Sequence, residues 1–181
     1  MAKCLGPAVV AASLHALLLG IYVWALGGDP AALICVGAER AGAPPYEAVH
    51  FGWERHGYDG QFYYAVAQAP FERHKVGIDN PSFRQARVLY PALCWALSAG
   101  DVRLLPWAMP AINLLAIGAL AGMGAFFAVR NGFSPWLGLC LPLAVDVALP
   151  ALRDLTDVLS TCAICALLVA WILRGPAWAV I

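Results

Sequence analysis

Three short blocks in this chain bring together side chains that can do chemistry. The first is Gly57-Tyr58-Asp59-Gly60-Gln61-Phe62-Tyr63-Tyr64, where one carboxylate sits among glycines. Flanking glycines allow close backbone approach and a free choice of φ and ψ. Asp59 reads in two ways: as the cap of the helix that follows, or as a carboxylate at the mouth of a cavity, acting as general base on a hydroxyl. The second block is Arg84-x-x-Arg87 followed by Val88-Leu89-Tyr90-Pro91. On a helix its two guanidiniums stand one turn apart. They read as snorkelling anchors of an apolar helix or as a fork for a phosphate. The third is Arg153-Asp154-Leu155-Thr156-Asp157. Its two carboxylates share a helix face, Asp157 also fits a helix cap, and structural and functional readings stand level. Asp146 lies inside an apolar run, where ionisable groups ordinarily face a cavity or a partner, although Pro150 sets it near that run's end.

Other chemistries lack their signatures. No phosphate-binding Gly-rich loop, His-Glu-x-x-His, nucleophile elbow or Cys/His zinc spacing occurs. His50, His56 and His74 have no regular ligand spacing, and His15 falls on an apolar stretch as a packed or interfacial residue. Cys162-x-x-Cys165 sits in a hydrophobic run and reads as structural, since free cysteine behaves as a small hydrophobe. The six cysteines give no disulfide framework; Cys35 stands apart from the rest.

The elements that position these blocks follow from composition. The chain has 181 residues, of which 62% are hydrophobic and 12% charged, with a mean hydropathy of +0.73. Soluble domains carry about 25% charged residues, and disordered chains need low hydrophobicity with high net charge. A formal net charge of +0 without a basic stripe excludes a typical nucleic-acid binder. The fold class expected is all-α, a polytopic membrane protein with about four transmembrane helices. Residues 1–27 form the first, its apolar run from Pro7 to Leu26 being longer than the roughly 7–15 residues of a signal peptide core. Residues 28–103 form a long outer loop with short interfacial helices, one from Tyr58 to Ala69 ended by Pro70, another from Val88 to Ala99. Residues 104–181 hold spans at 104–129, 133–150 and 158–173, then the start of another helix at 177–181. With the N-terminus cytoplasmic, Lys3, Arg130 and Arg174 fall on the cytoplasmic side. The long loop and the Arg153–Asp157 turn then meet on the outer side.

The first block, with Ala65-Val66-Ala67, Pro70-Phe71 and then Arg84-x-x-Arg87-Val88-Leu89-Tyr90-Pro91, resembles bacterial membrane glycosyltransferases of the GT-C superfamily. The nearest likeness is to mannosyltransferase-like and cell-surface-glycopolymer proteins, and Arg153-Asp154-Leu155-Thr156-Asp157 is similar to that group's later outer-end motif. The resemblance implies inverting transfer of a sugar from a polyprenyl-phosphate donor on the outer face of the bacterial inner membrane, with Asp59 as base. It implies Arg84 and Arg87 at the lipid phosphate, and a substrate-binding set of Tyr58, Gln61, Tyr63, Arg84, Arg87, Tyr90, Arg153, Asp154 and Asp157. The partners implied are the lipid-linked donor and membrane lipid, with no nucleic acid. No cofactor is fixed, and a divalent metal is left open. GT-C proteins have more spans than this chain, so the expectation is an N-terminal portion, with a second chain as a source of further helices. The alternative is a non-catalytic accessory subunit or a transporter-like fragment.

Overall fold

The computed structural model describes residues 2–49, 52–53, 56–72 and 78–174, without the side chains of residues 2, 145 and 146. His50, His74, the Asp146 side chain and the helix start expected at 177–181 lie outside the described residues.

Three apolar runs become long helices. Helix α1 spans Ala2–Ala25 and stops where Gly27 and Gly28 take φ of 98° and 86°, conformations that glycine adopts without steric cost. Helix α5, Leu105–Arg130, accommodates Pro106 in its first turn, where a missing N–H costs little. It ends at Asn131 and Gly132, with the Phe133 N–H donating back to the Ala128 carbonyl at 2.8 Å. Helix α7 is Asp157–Arg174. Among the described residues these three are long and apolar enough to cross a membrane. Leu5, Leu17, Ile21 and Trp24 on α1, and Leu167, Leu168 and Trp171 on α7, are exposed. Apolar surface on that scale suits lipid rather than water, the mark of a membrane protein. Small residues let α1 and α5 approach closely, with Gly118 of α5 against Ala8 and Ala12 of α1.

The span expected over 133–150 is not one helix. It is a 3-10 helix, Pro135–Cys140, then α6, Val145–Ala151. Pro142 interrupts any continuous ladder between them, because proline lacks the N–H and clashes with the preceding turn. Gly138 presses against the backbone of Ala121 and Ala125, where a Cβ would collide. The segment thus runs back along α5 from its Arg130 end, and it delivers Arg153 to the Leu105 end.

The polar segment between α1 and α5 folds onto that same end. It comprises a 3-10 helix at Pro30–Ile34, α2 at Gly60–Gln68, α3 at Pro81–Gln85, α4 at Leu89–Leu97 and a 3-10 turn at Val102–Leu104. Asn80 caps α3 by accepting from the Phe83 N–H at 3.2 Å, and Pro81 fills its first position. Ile34, Val36, Tyr46, Tyr63, Tyr64, Tyr90 and Cys94 pack with Leu105 and Met109 into one buried cluster. A second cluster, including Ala11, Ile117, Leu120, Val147 and Val158, joins the long helices and carries Cys162 and Cys165 at its edge.

Candidate functional site

Close backbone packing places the first block. Gly57, with φ of 66°, lies against Cys35 and Gly37, and the Tyr58 N–H donates to the Cys35 carbonyl at 2.8 Å. Gln61 is buried: its Nε2 donates to the His56 carbonyl at 2.8 Å, and its Oε1 accepts from the Gly37 N–H at 3.2 Å. It fastens two loop strands and presents nothing to a substrate. At Gly60 a Cβ would collide with the Arg153 carbonyl oxygen and lie 2.7 Å from that of Ile34. Only glycine lets the first block and the third, far apart in sequence, meet backbone to backbone.

Asp59 does not cap α2. It precedes the helix with αR backbone angles and no side-chain cap bond. Its carboxylate faces Arg84, which donates from Nη1 to Oδ2 at 2.8 Å and from Nη2 to Oδ1 at 2.9 Å. Arg84 also donates to Asp79, from Nε to Oδ1 at 2.9 Å and from Nη2 to Oδ2 at 2.8 Å. Arg84 is only 4% exposed, and its guanidinium lies 4.4 Å from the Phe62 ring centroid. Burial opposes its charge, and the bonds from Asp79 and Asp59 more than offset that, so its pKa is raised. The same bond from Arg84, against weaker opposition from burial, holds Asp79 below the usual carboxylate range. The fork that a phosphate would need is occupied by two carboxylates. Arg87 donates to the Tyr63 hydroxyl at 3.0 Å and stacks on Phe83.

A cleft of about 590 Å³ opens beside this block, lined by Tyr58, Leu149, Pro150, Arg153, Leu155, Asp157 and Thr161. A neighbouring cavity of about 250 Å³ shares Tyr58 and Arg153 and adds Cys35, Trp53 and Gly57. The Arg153 guanidinium stacks 4.5 Å from the Tyr58 ring centroid, and among the described residues it makes no ion pair or hydrogen bond. It is a cation in a partly apolar cleft with its donors available. Asp157 opens α7 across from it.

The remaining site candidates turn inward. Asp154 is fully buried, with a positive φ of 49° and, among the described residues, no hydrogen-bond partner for either carboxylate oxygen. Burial pushes its pKa well up. Tyr90 is buried, its hydroxyl donating to the Met109 carbonyl at 3.1 Å and accepting from Asn113 Nδ2 at 3.2 Å. The structure therefore joins Asp59 with Arg84 and sets Tyr58, Arg153 and Asp157 around the cleft. Gln61, Tyr63, Tyr90 and Asp154 sit in the packed interior. Sequence reasoning passed over Asp79 and Asn113. The signals were an acidic residue beside Asn80-Pro81 five positions before Arg84, and an amide within an apolar span. Among the described residues no group of three or more His, Cys, Asp and Glu side chains is placed to hold a metal ion. Comparison of the chain with protein-family models, with curated proteins and with solved structures finds no match.

Proposed function

We propose that this chain acts in membrane glycosyl transfer, taking a sugar from a polyprenyl-phosphate donor held in the cleft and passing it to an acceptor hydroxyl. The observation that carries the reading is the apposition at Gly60. It brings the Asp59 block onto the Arg153–Asp157 block around a cleft with apolar walls and a guanidinium that has no ion pair among the described residues. An amphiphile with an anionic head and a prenyl tail matches that surface. In this reading Arg153, which lines the cleft, takes the donor phosphate rather than Arg84, because its donors are available and Arg84's are held by two carboxylates.

Asp59 stands next in the chain to Tyr58 on the cleft rim, and its carboxylate is half exposed. Arg84 and Asp79 hold it in one orientation. As base it accepts the acceptor's proton while the acceptor oxygen attacks the anomeric carbon. The bond from that carbon to the phosphate oxygen breaks on the opposite side, which inverts the centre. The leaving polyprenyl phosphate gains negative charge, and the Arg153 guanidinium stabilises it more than the ground state. In this reading the segment 131–153, which seats Gly138 against α5 and leaves Phe133, Trp136, Leu137 and Leu143 exposed as lipid-facing apolar side chains, serves as a broken fourth pass. Lys3, Arg130 and Arg174 then lie on the cytoplasmic side.

The test is transfer in membranes carrying this chain, with labelled polyprenyl-phosphate sugars. The expectation is transfer by the parent chain and a loss of roughly 100-fold or more in Asp59→Asn. Arg153→Gln should raise the donor concentration needed. Absence of transfer from every donor by the parent chain would overturn the reading in favour of a non-catalytic membrane subunit.

A further inference from the structure

Helix α4 carries no polar face. Tyr90, Pro91 and Cys94 are its buried residues, and the rest are leucine, alanine or tryptophan. Of these, Leu89, Leu93, Trp95 and Leu97 are exposed. A helix at a water-facing surface shows charged or polar residues on its outer side, and α4 has none. At nine residues it is too short to cross a bilayer, which takes about 20.

The exposed side of α4 runs on into α5. After Leu97 the chain turns at Ala99 and Gly100, with φ of 52° and 78°, and the long helix begins at Leu105. A cavity of about 220 Å³ lies in the corner so formed, lined by Leu97, Ser98, Leu104, Trp107, Ala108 and Ala111. The Ser98 hydroxyl is spent on the Trp95 carbonyl, to which it donates at 3.0 Å, so the walls are apolar. Leu104 and Trp107 are exposed beside it. Gly118 of α5 faces Ala8 and Ala12 of α1, whereas Gly122, one turn later, faces Cys4 and Ala8; the two helices therefore run antiparallel. The exposed indoles of Trp24, near the end of α1, and of Trp107, in the first turn of α5, thus stand at one end of the spans. Trp95 joins them there, with the exposed Phe71 ring edge-on at 5.8 Å. Tryptophan gathers at the depth where headgroups meet acyl chains.

We infer that α4 and the first turns of α5 form a shoulder sunk in the lipid leaflet at this end of the spans, with acyl chains lying along α4 and in the corner cavity. Lipid is the occupant because the surface continues the exposed side of a membrane-spanning helix at its entry to the bilayer, out of reach of a partner in water. Arg103, exposed and ion-paired with Asp101 at 2.8 Å, then lies at headgroup level. The inference stands whether or not the chain transfers sugars. The test uses the full chain in phosphatidylcholine nanodiscs, with p-benzoyl-phenylalanine in place of Leu93 or Leu97. Leu17, exposed on α1, and Glu39, exposed in the polar segment, carry the same photoprobe as references. Irradiation inserts the probe into a neighbouring C–H bond, and intact-mass spectrometry weighs what it has captured. Phospholipid adducts at Leu93 and Leu97 should reach about half or more of the Leu17 yield and exceed the Glu39 yield roughly tenfold. Yields as low as at Glu39 would overturn the inference and put α4 in water. Adducts of twice the chain mass in place of lipid would overturn it in favour of a face between copies. A second reading is tryptophan quenching by dibrominated phosphatidylcholine, whose amplitude should fall in Trp95→Phe; an unchanged amplitude would count against the shoulder.

Discussion

Replacing Gly60 by alanine adds one methyl group where the two sequence blocks meet. That methyl would collide with the Arg153 carbonyl and stand 2.7 Å from the Ile34 carbonyl. Both obstacles are backbone, so neither can rotate away as a side-chain tip would. Overpacking of this kind costs about 1–3 kcal/mol, and two fixed carbonyls put the cost near the top of that range. Alanine recovers at most about 1 kcal/mol of helix propensity, and less here, because Gly60 opens α2. A net loss of about 2–3 kcal/mol corresponds to a Tm lower by roughly 4–12 °C for a chain of this size. The assay is thermal unfolding in detergent beside Gly20→Ala, whose added methyl meets nothing within 4 Å inside the C-terminal half of α1. Gly20→Ala should raise stability by about 0.5–1 kcal/mol. Equal Tm values for Gly60→Ala and the parent chain would refute the close apposition, and with it the geometry on which the cleft depends.

Three further outcomes follow from the same geometry. Arg84 depresses the Asp79 pKa, so the stability that group contributes is present above its unfolded value of about 4 and is lost as pH falls through the lower folded value. Unfolding midpoints measured from pH 6 down to pH 3 should therefore fall less steeply in Asp79→Asn than in the parent chain; parallel curves would count against the contact. Gln61→Leu leaves the Gly37 N–H and the His56 carbonyl without their partner, and the expected cost is about 2–4 kcal/mol, read as a lower denaturation midpoint. A midpoint equal to the parent's would mean that the side chain faces solvent or ligand instead. Arg153→Gln removes a partly buried cleft cation that makes no ion pair among the described residues. Its Tm should stay within about 2 °C of the parent's while binding of a polyprenyl phosphate weakens; a large drop in stability would identify Arg153 as a structural residue.

Much of the architecture is legible in the order of residue types. Apolar runs of more than 20 residues at 2–25 and 105–130, stopped by Gly27-Gly28 and Asn131-Gly132, can do little but form long helices, because an unpaired backbone is intolerable in an apolar setting. Pro70 likewise marks the end of α2 by local sterics, whereas Asn80-Pro81, which reads as a turn, proves to cap and open the short helix α3. The run at 133–150 was not legible. Its hydropathy is that of a span, and which of Pro135, Gly138, Pro142 and Pro150 breaks the helix depends on the groove along α5 into which Gly138 fits. The roles of the charged residues were even less so. Asp59, Arg84, Asp154 and Asp157 all stand in blocks that invite a chemical reading, yet one pairs, one is enclosed between carboxylates, one is buried with no partner among the described residues and one borders the cleft.

Residue type and spacing by themselves determined the helices, the membrane setting and which blocks hold the polar chemistry, since propensity, hydropathy and turn sterics act within a few residues of their source. Only the tertiary structure decided that Asp79 and Asp59 share Arg84, that Arg153 is the guanidinium left open to the cleft and that Asp154 turns inward. Those outcomes turn on close approaches between segments far apart in the chain, at Gly60 above all, and on which side chain first meets a partner as water is excluded.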